Sequence, residues 1–474
     1  MSNYKRLGKN TFLVFIGNIG SKSISFLMLP LYTTWLSVAD YGTTDIVTIY
    51  TTFLLSIISG CIAESIFIFP NKETYKIQKE YFTTGLYFAF ISFIVSFFLF
   101  CFAKLGFDYY KVTNSFSEYT WWIFWIIVAT FSQNYMQQFS RSIDKIRVYA
   151  ISGIVLTGCT AIFAFLLVPK YGVKGFFLAQ ILSLFFGALY IFIFTKSYNY
   201  FKVKSINIKR GVEMLRYSIP LIPNGIVWLL VSALNRPILE YYYGLNSVGI
   251  FAVASKFPAI IIVVFSIFIS AWQISVLDEF KKINYEQFYN KILRIIFLML
   301  IILSCTIAIF SEKIIFLMAH EKFMEASNVL PILTFAVIFS SLSGFVGANF
   351  SAVKKSKYYF YSSVFGAVAS VIFNWLLIPL YGLYGAAIAI VISYFIMAIS
   401  RIVYSWQFVK ISNLKVYMLM LLINFLVILT VIYIQEYNYL LYILFFIILL
   451  FINKKVFEDF KEIYYLIKLN YKKT

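Results

Sequence analysis

The sequence predicts an all-α integral membrane protein of about fourteen transmembrane helices. They form a six-helix lobe written twice, with two further helices at the C-terminal end. Three observations predict this. Of 474 residues, 61% are hydrophobic and 13% charged, with 53 Phe and 37 Tyr. Soluble domains carry about 25% charged residues, and no soluble core encloses so much apolar surface. Second, Pro169-Lys170-Tyr171-Gly172-Val173-Lys174-Gly175 and Pro379-Leu380-Tyr381-Gly382-Leu383-Tyr384-Gly385 both read Pro-x-Tyr-Gly-x-x-Gly, and each separates two long apolar runs. Third, the basic residues are sorted between alternate loops.

At each heptad, proline is expected to end one helix and glycine to supply the positive φ of a tight reversal. Both places therefore read as helical hairpins with almost no loop. Pro30 and Gly42 in the first half find counterparts in Pro237 and Gly249 in the second. Internal repeats of this kind are typical of transporters.

A span needs about 20 apolar residues. Span 1 runs Thr11 to Leu36, span 2 Thr43 to Phe69, span 3 Phe82 to Ala103 and span 4 Thr120 to Ser140. Span 5 runs Val148 to Val168 and span 6 Phe176 to Thr195; the polar stretch Lys196 to Arg216 then joins the halves. Span 7 runs Tyr217 to Leu239, span 8 Val248 to Leu277, span 9 Ile292 to Phe310 and span 10 Val329 to Val353. Span 11 runs Phe360 to Ile378, span 12 Leu383 to Ser405, span 13 Val416 to Ile434 and span 14 Tyr437 to Ile452. The lobes are residues 1–200 and 201–410, and 411–474 holds the extra helices and the tail.

With the N-terminus cytoplasmic, most of the 40 Lys and Arg fall in the N-terminus, the even-to-odd loops and the tail. The opposite loops hold only Lys104, Lys111, Lys170, Lys174, Arg236, Lys313 and Lys322. The positive-inside rule then places both termini in the cytoplasm. It also accounts for the net charge of +20 without nucleic acid. Lys5, Arg6 and Lys9 before an apolar run imitate a signal peptide, but the run is too long and reads as span 1. After Asn453, Val456, Phe457, Phe460, Ile463, Tyr464 and Ile467 recur at helical spacing, an amphipathic helix on the inner surface. Lys202, Lys204, Lys209 and Arg210 place the linker near the anionic leaflet.

Soluble-type catalysis finds little footing. Cys61, Cys101, Cys159 and Cys305 lie in apolar runs as small core residues. The single histidine, His320, has no Cys or His partner in sequence, so no metal site is expected. No phosphate-binding Gly-x-x-x-x-Gly-Lys-Ser/Thr occurs, and neither a cofactor nor an enzymatic activity is expected.

Ionisable residues inside spans carry the chemistry, because each costs about 2.5–3.5 kcal/mol at the bilayer centre on the insertion scale. Lys22 sits in span 1 among Asn18, Ser21 and Ser25, and Lys256 in span 8 between Ser255 and Pro258. Both read as cavity-facing cations; the alternative is snorkelling or pairing with an acid. Arg236 at the outer end of span 7 is a binding candidate or an interfacial anchor. Glu64 and Asp45 in span 2 are coupling-ion candidates, ion-pair partners or interfacial groups. Asn134, Gln137, Gln138 and Arg141 share one face of span 4, suited to sugar hydroxyls or to interhelical hydrogen bonds. Asn224 follows Pro220 and Pro223, whose freed carbonyls mark a bent, cavity-lining start of span 7. Ser340, Ser341, Ser343, Gly344 and Gly347 in span 10 read as close helix packing.

Tyr217-Ser218-Ile219-Pro220-Leu221-Ile222-Pro223-Asn224, then Asn235-Arg236 and Val248-Gly249-Ile250-Phe251, resembles the start of the second half in polysaccharide flippases of the O-antigen and capsule type. Asp40-Tyr41-Gly42 and the two heptads are similar to that family as well. It belongs to the multidrug/oligosaccharidyl-lipid/polysaccharide exporter superfamily. The resemblance implies two six-helix lobes around a central cavity, two peripheral helices, and passage of an undecaprenyl-diphosphate-linked oligosaccharide from the cytoplasmic to the outer leaflet by alternating access. The partners it implies are that substrate, membrane lipid and the glycan polymerase of the same pathway, in a bacterial cytoplasmic membrane. In relatives that flip the peptidoglycan precursor, basic residues on spans 1, 2 and 8 line the cavity. Lys22 and Lys256 match spans 1 and 8; span 2 here has no mid-membrane basic residue. A drug/cation antiporter would need a mid-membrane carboxylate and twelve spans. A membrane glycan polymerase would need a large outer loop.

Overall fold

The computed structural model describes residues 26–434 and 439–452. Lys22 with its polar neighbours, most of span 1, and the amphipathic tail lie outside the described residues. Among the described residues every regular element is helical. The chain divides into two compact units, through Leu229 and from Leu230.

The first unit contains α1 (Leu29–Trp35), α2 (Val38–Ile58), α3 (Ile62–Ile68), α4 (Tyr75–Tyr109), the single turn α5 (Ser115–Glu118), α6 (Thr120–Ser142), α7 (Ile146–Phe194) and α8 (Ile208–Ser218). The helix α9 (Leu221–Ala233) carries the chain into the second unit. There follow α10 (Asn235–Glu279), α11 (Tyr285–Ile309), α12 (Ser311–Met318), α13 (Ala326–Ala352), α14 (Ser356–Ser405), α15 (Leu414–Ile434) and α16 (Tyr439–Ile452). Among the described residues eight helices are long and apolar enough to cross a membrane. Three of these contain a reversal, at Gly172, Gly244 and Gly382.

The two heptads fold alike. Gly172 has φ 54° and ψ −130°, and Gly382 φ 55° and ψ −123°, which side chains rarely adopt. The chain doubles back at each. Phe163 meets Phe186 across the first hairpin, with ring centroids 5.5 Å apart. Arg401 meets Ser362 across the second. The role expected for proline differs from what the fold shows: Pro169 and Pro379 lie inside the helices, which run on to the glycine. Positive φ at glycine, rather than the missing proline N–H, makes the stop.

Two spans are interrupted, one where the sequence reads it as continuous and one at the prolines expected to bend it. Span 2 breaks at Gly60 and Cys61, with φ of 56° and 52°. A left-handed cysteine is strained, so neighbours must hold it. Ser92 Oγ donates to the Ile58 carbonyl, and Leu215 packs on Gly60. Span 7 breaks before Leu221, next to Pro220. Asp40, in the family-like Asp-Tyr-Gly, proves to be a cap. Ser37 and Asp40 exchange backbone-to-side-chain bonds of 3.1 and 3.2 Å at the start of α2.

In the first unit, α6 packs on α2, α3, α4 and α7. Its Phe131, Tyr135 and Phe139 join Ile62, Phe82 and Met214 in one core. In the second, α13 packs on α10, α11 and α14, and Phe345 stacks on Trp272 at 4.4 Å. The remaining faces are apolar and open: Phe90, Phe98, Leu99, Phe102 and Leu105 of α4 are exposed. Those faces need lipid as their solvent.

Candidate functional site

Each unit carries a polar stripe on a membrane helix. On α2, Asp45, Thr48, Thr52 and Ser56 recur at i, i+3 and i+4 and are exposed or half-buried. Thr48, Thr52 and Ser56 each donate back to the carbonyl one turn earlier, at 2.7, 2.8 and 3.3 Å. That settles their protons and leaves acceptor lone pairs facing outward. On α10, Lys256, Ser266, Ser270 and Gln273 share one exposed face. By the pairing of Pro30 with Pro237, these are equivalent helices of the repeat.

Lys256 is exposed, and its ammonium has no partner among the described residues. It lies twelve residues past the Gly244 reversal, about 18 Å along the helix at 1.5 Å per residue. A hydrocarbon core is about 30 Å thick, so a reversal at its edge would set Lys256 near the middle. Glu64 is exposed in the first turn of α3, directly after the Gly60–Cys61 break. Asn224 is exposed on α9. These groups are open to a ligand.

The other candidates are already engaged. Gln137 Nε2 donates to Ser152 Oγ at 3.3 Å, and Arg141 donates to Gln138 Oε1 at 3.0 Å. The Arg141 guanidinium also lies over Phe67 and Tyr149, at 4.2 and 5.1 Å. Half-buried Asn134 shares this face. Arg236 is only 8% exposed. It donates to the Ser232 carbonyl, Asn235 Oδ1 and Ser255 Oγ, and covers the Phe251 ring at 5.0 Å.

The second unit also holds an apolar groove of about 1050 Å³ beside the Gly382 hairpin. Phe335, Leu380, Phe425 and Tyr433 wall it, and Tyr243 closes one end by donating to the Pro379 carbonyl at 3.0 Å.

A family model described as polysaccharide biosynthesis protein matches residues 7–273. The chain belongs to that family. This member is 27% identical over 216 residues to the capsular polysaccharide biosynthesis protein CapF of Staphylococcus aureus, covering 44% of this chain and 53% of CapF. It is 26% identical over 257 residues to the uncharacterized membrane protein MJ1068 of Methanocaldococcus jannaschii, covering 51% and 50%. The chain spans about half the length of the curated relatives it matches. Among solved structures, the inward closed conformation of the lipid II flippase MurJ superposes with a TM-score of 0.70 at 16% identity, covering 95% of this chain and 99% of MurJ. An inward-facing multidrug resistance transporter of the MATE family gives 0.64 at 16% identity, covering 83% and 94%. At that identity the likeness carries the fold: this family member is a multi-pass membrane protein with the two-lobed helical architecture of MurJ and MATE transporters.

Sequence reasoning missed one cation of this family member. Arg401, within span 12, is 0% exposed. Its Nε donates to Ser362 Oγ at 3.1 Å, Nη1 to the Ser343 carbonyl at 2.8 Å and Nη2 to Ser363 Oγ at 3.0 Å. Its face lies 4.0 Å from the Tyr359 ring centroid. Gly347 makes room, since a Cβ there would stand 2.9 Å from Tyr359 and 3.2 Å from Arg401. Neutral oxygens and a ring face thus take the place of a counter-ion. The signal was an arginine inside the apolar run of span 12.

Proposed function

We propose that this protein is a flippase that carries an undecaprenyl-diphosphate-linked oligosaccharide from the cytoplasmic to the outer leaflet for surface polysaccharide synthesis. The observation that carries the reading is Lys256, an exposed ammonium twelve residues past the Gly244 reversal of an apolar helix, on a face shared with Ser266, Ser270 and Gln273. A diphosphate is the natural partner of a cation in a poorly screened site, and hydroxyls and amides suit a glycan. Lys22, from span 1, is the second cation. Asp45 and Glu64 are the groups for a coupling ion, and Asn224 is a further polar contact. Arg141 with Asn134 and Gln137, and Arg236, act as reserve contacts that must exchange their present partners first. The groove beside the Gly382 hairpin suits part of a polyprenyl chain. The family match and the likeness to CapF favour a polysaccharide pathway, with a glycan polymerase acting next.

Transport proceeds by alternating access and makes or breaks no covalent bond. The protein sits in the bacterial cytoplasmic membrane with both termini in the cytoplasm. The test is complementation. Expression in a strain lacking its own O-antigen or capsule flippase restores surface glycan, normalised to protein in the membrane. No restoration with any of a panel of repeat units, at normal membrane levels, argues against the reading.

A further inference from the structure

The segment 196–219 between the halves is a strap fixed to the first unit. Asn207 N donates to Thr84 Oγ1 at 2.9 Å and Ser65 Oγ donates to the Met214 carbonyl at 2.9 Å. Arg210 Nε meets Glu80 Oε2 at 2.8 Å and its Nη1 donates to Tyr81, whose hydroxyl donates to Glu213. Gly211 lies against Phe88, where a Cβ would overlap the ring. The inward side of α8 is therefore Gly211, Met214 and Ser218, all buried.

Its outward side is different. Ile208, Val212 and Ile219 are exposed and form one apolar stripe at i, i+4 and i+11, while Leu215 between them packs inward on Gly60. Lys209 and Arg216 flank that stripe; Lys202 and Lys204 precede the helix beside exposed Phe201 and Val203. The side chains of these four basic residues are exposed and have no partner among the described residues. The charges are thus sorted: Arg210 is ion-paired with Glu80 and the exposed Glu213 accepts from Tyr81, while Lys202, Lys204, Lys209 and Arg216 make no such contact. Both ends of the strap run into apolar helices, α7 at Phe194 and α9 at Leu221.

We propose that this outward side is a docking surface for anionic phospholipid headgroups, with Ile208, Val212 and Ile219 seated among the acyl chains and Lys202, Lys204, Lys209 and Arg216 holding the phosphates. An apolar stripe edged with lysine and arginine is the pattern of an interfacial helix that selects anionic lipid. The polar bonds on the other side transmit that seating to α3 and α4.

The test uses the full chain with its four native cysteines replaced, Val212→Cys, and a spin label at that position. It is reconstituted without substrate in vesicles of phosphatidylcholine alone or with added phosphatidylglycerol. The relative accessibility to oxygen and to a water-soluble nickel complex reads depth. The label should become severalfold less accessible to nickel when phosphatidylglycerol is present. Combined Lys202→Gln, Lys204→Gln, Lys209→Gln and Arg216→Gln should abolish that difference. Equal depth in the two vesicle types, whether buried or in water, overturns the proposal, as does a lipid difference that survives the four substitutions. Ile219→Cys provides a second label site if Val212→Cys fails to fold. Transport is not read, so the flippase assignment can fail without touching this result.

Discussion

A Cβ on Gly385 would overlap the carbonyl oxygen of Leu377, and Gly175 stands in the same relation to Leu167. The two glycines of the heptad thus have separate tasks. The first, Gly172 or Gly382, takes the positive φ that reverses the chain. The second lets the returning helix pass against the backbone of the departing one. The repeat spacing records a two-part turn made twice.

Substitution should separate those tasks. Gly172 has open space around it, so Gly172→Ala costs only the strain of its φ 54° and ψ −130° backbone, about 1–3 kcal/mol. Gly175→Ala must push helices apart, an overpacking cost of roughly 1–3 kcal/mol or more. Thermal unfolding in detergent should rank Gly175→Ala below Gly172→Ala, and Gly385→Ala below wild type. Equal stability of all three would refute the two-part turn.

Arg401 ties α13 and both arms of α14 through three hydrogen bonds. Arg401→Lys keeps the charge but loses the fork, leaving at least one buried oxygen without its donor. A loss of about 2 kcal/mol is expected, with Gly347→Ala similarly harmful because its Cβ meets Tyr359 and Arg401. Unchanged unfolding of Arg401→Lys would show that the guanidinium fork is dispensable.

The hairpins were legible because glycine and a periodic apolar pattern act locally. The polar stripe of α10 was half legible: Lys256 is conspicuous by charge, whereas Ser266, Ser270 and Gln273 acquire meaning only once their shared exposure is seen. The break at Gly60–Cys61 was not legible, since tertiary contacts from Ser92 and Leu215 hold a cysteine where local preference opposes it. Arg401 was hidden for the same reason, whereas the engagement of the Gln137 and Arg141 face was one of the two alternatives its residues offered. Pairing across helices far apart in sequence decides which cations are internal.

The strap should behave as part of the first unit. Glu80 and Arg210 are each less than one-third exposed, and a coupling of about 1 kcal/mol is expected from the cycle Glu80→Gln, Arg210→Gln and the double variant. Additive losses in unfolding temperature would mean that the pair does not fasten the strap.

Loop orientation follows from charge. Reporter fusions at Lys202 and Lys282 should read cytoplasmic, and those at Lys111, Lys174 and Lys322 extracytoplasmic. A cytoplasmic signal at Lys322 would reverse α11 and force the second lobe to be redrawn.

The central claim is capture of an anionic lipid-linked glycan by cations near mid-membrane. Its most direct measurement is the rate at which purified protein in vesicles moves a fluorescent undecaprenyl-diphosphate oligosaccharide, compared with Lys22→Ala, Lys256→Ala and their combination at equal reconstitution. The combined variant should fall about tenfold or more, the effect of losing roughly 1.4 kcal/mol, with Lys256→Arg retaining part of the rate. A combined variant that transports at the wild-type rate would contradict the claim.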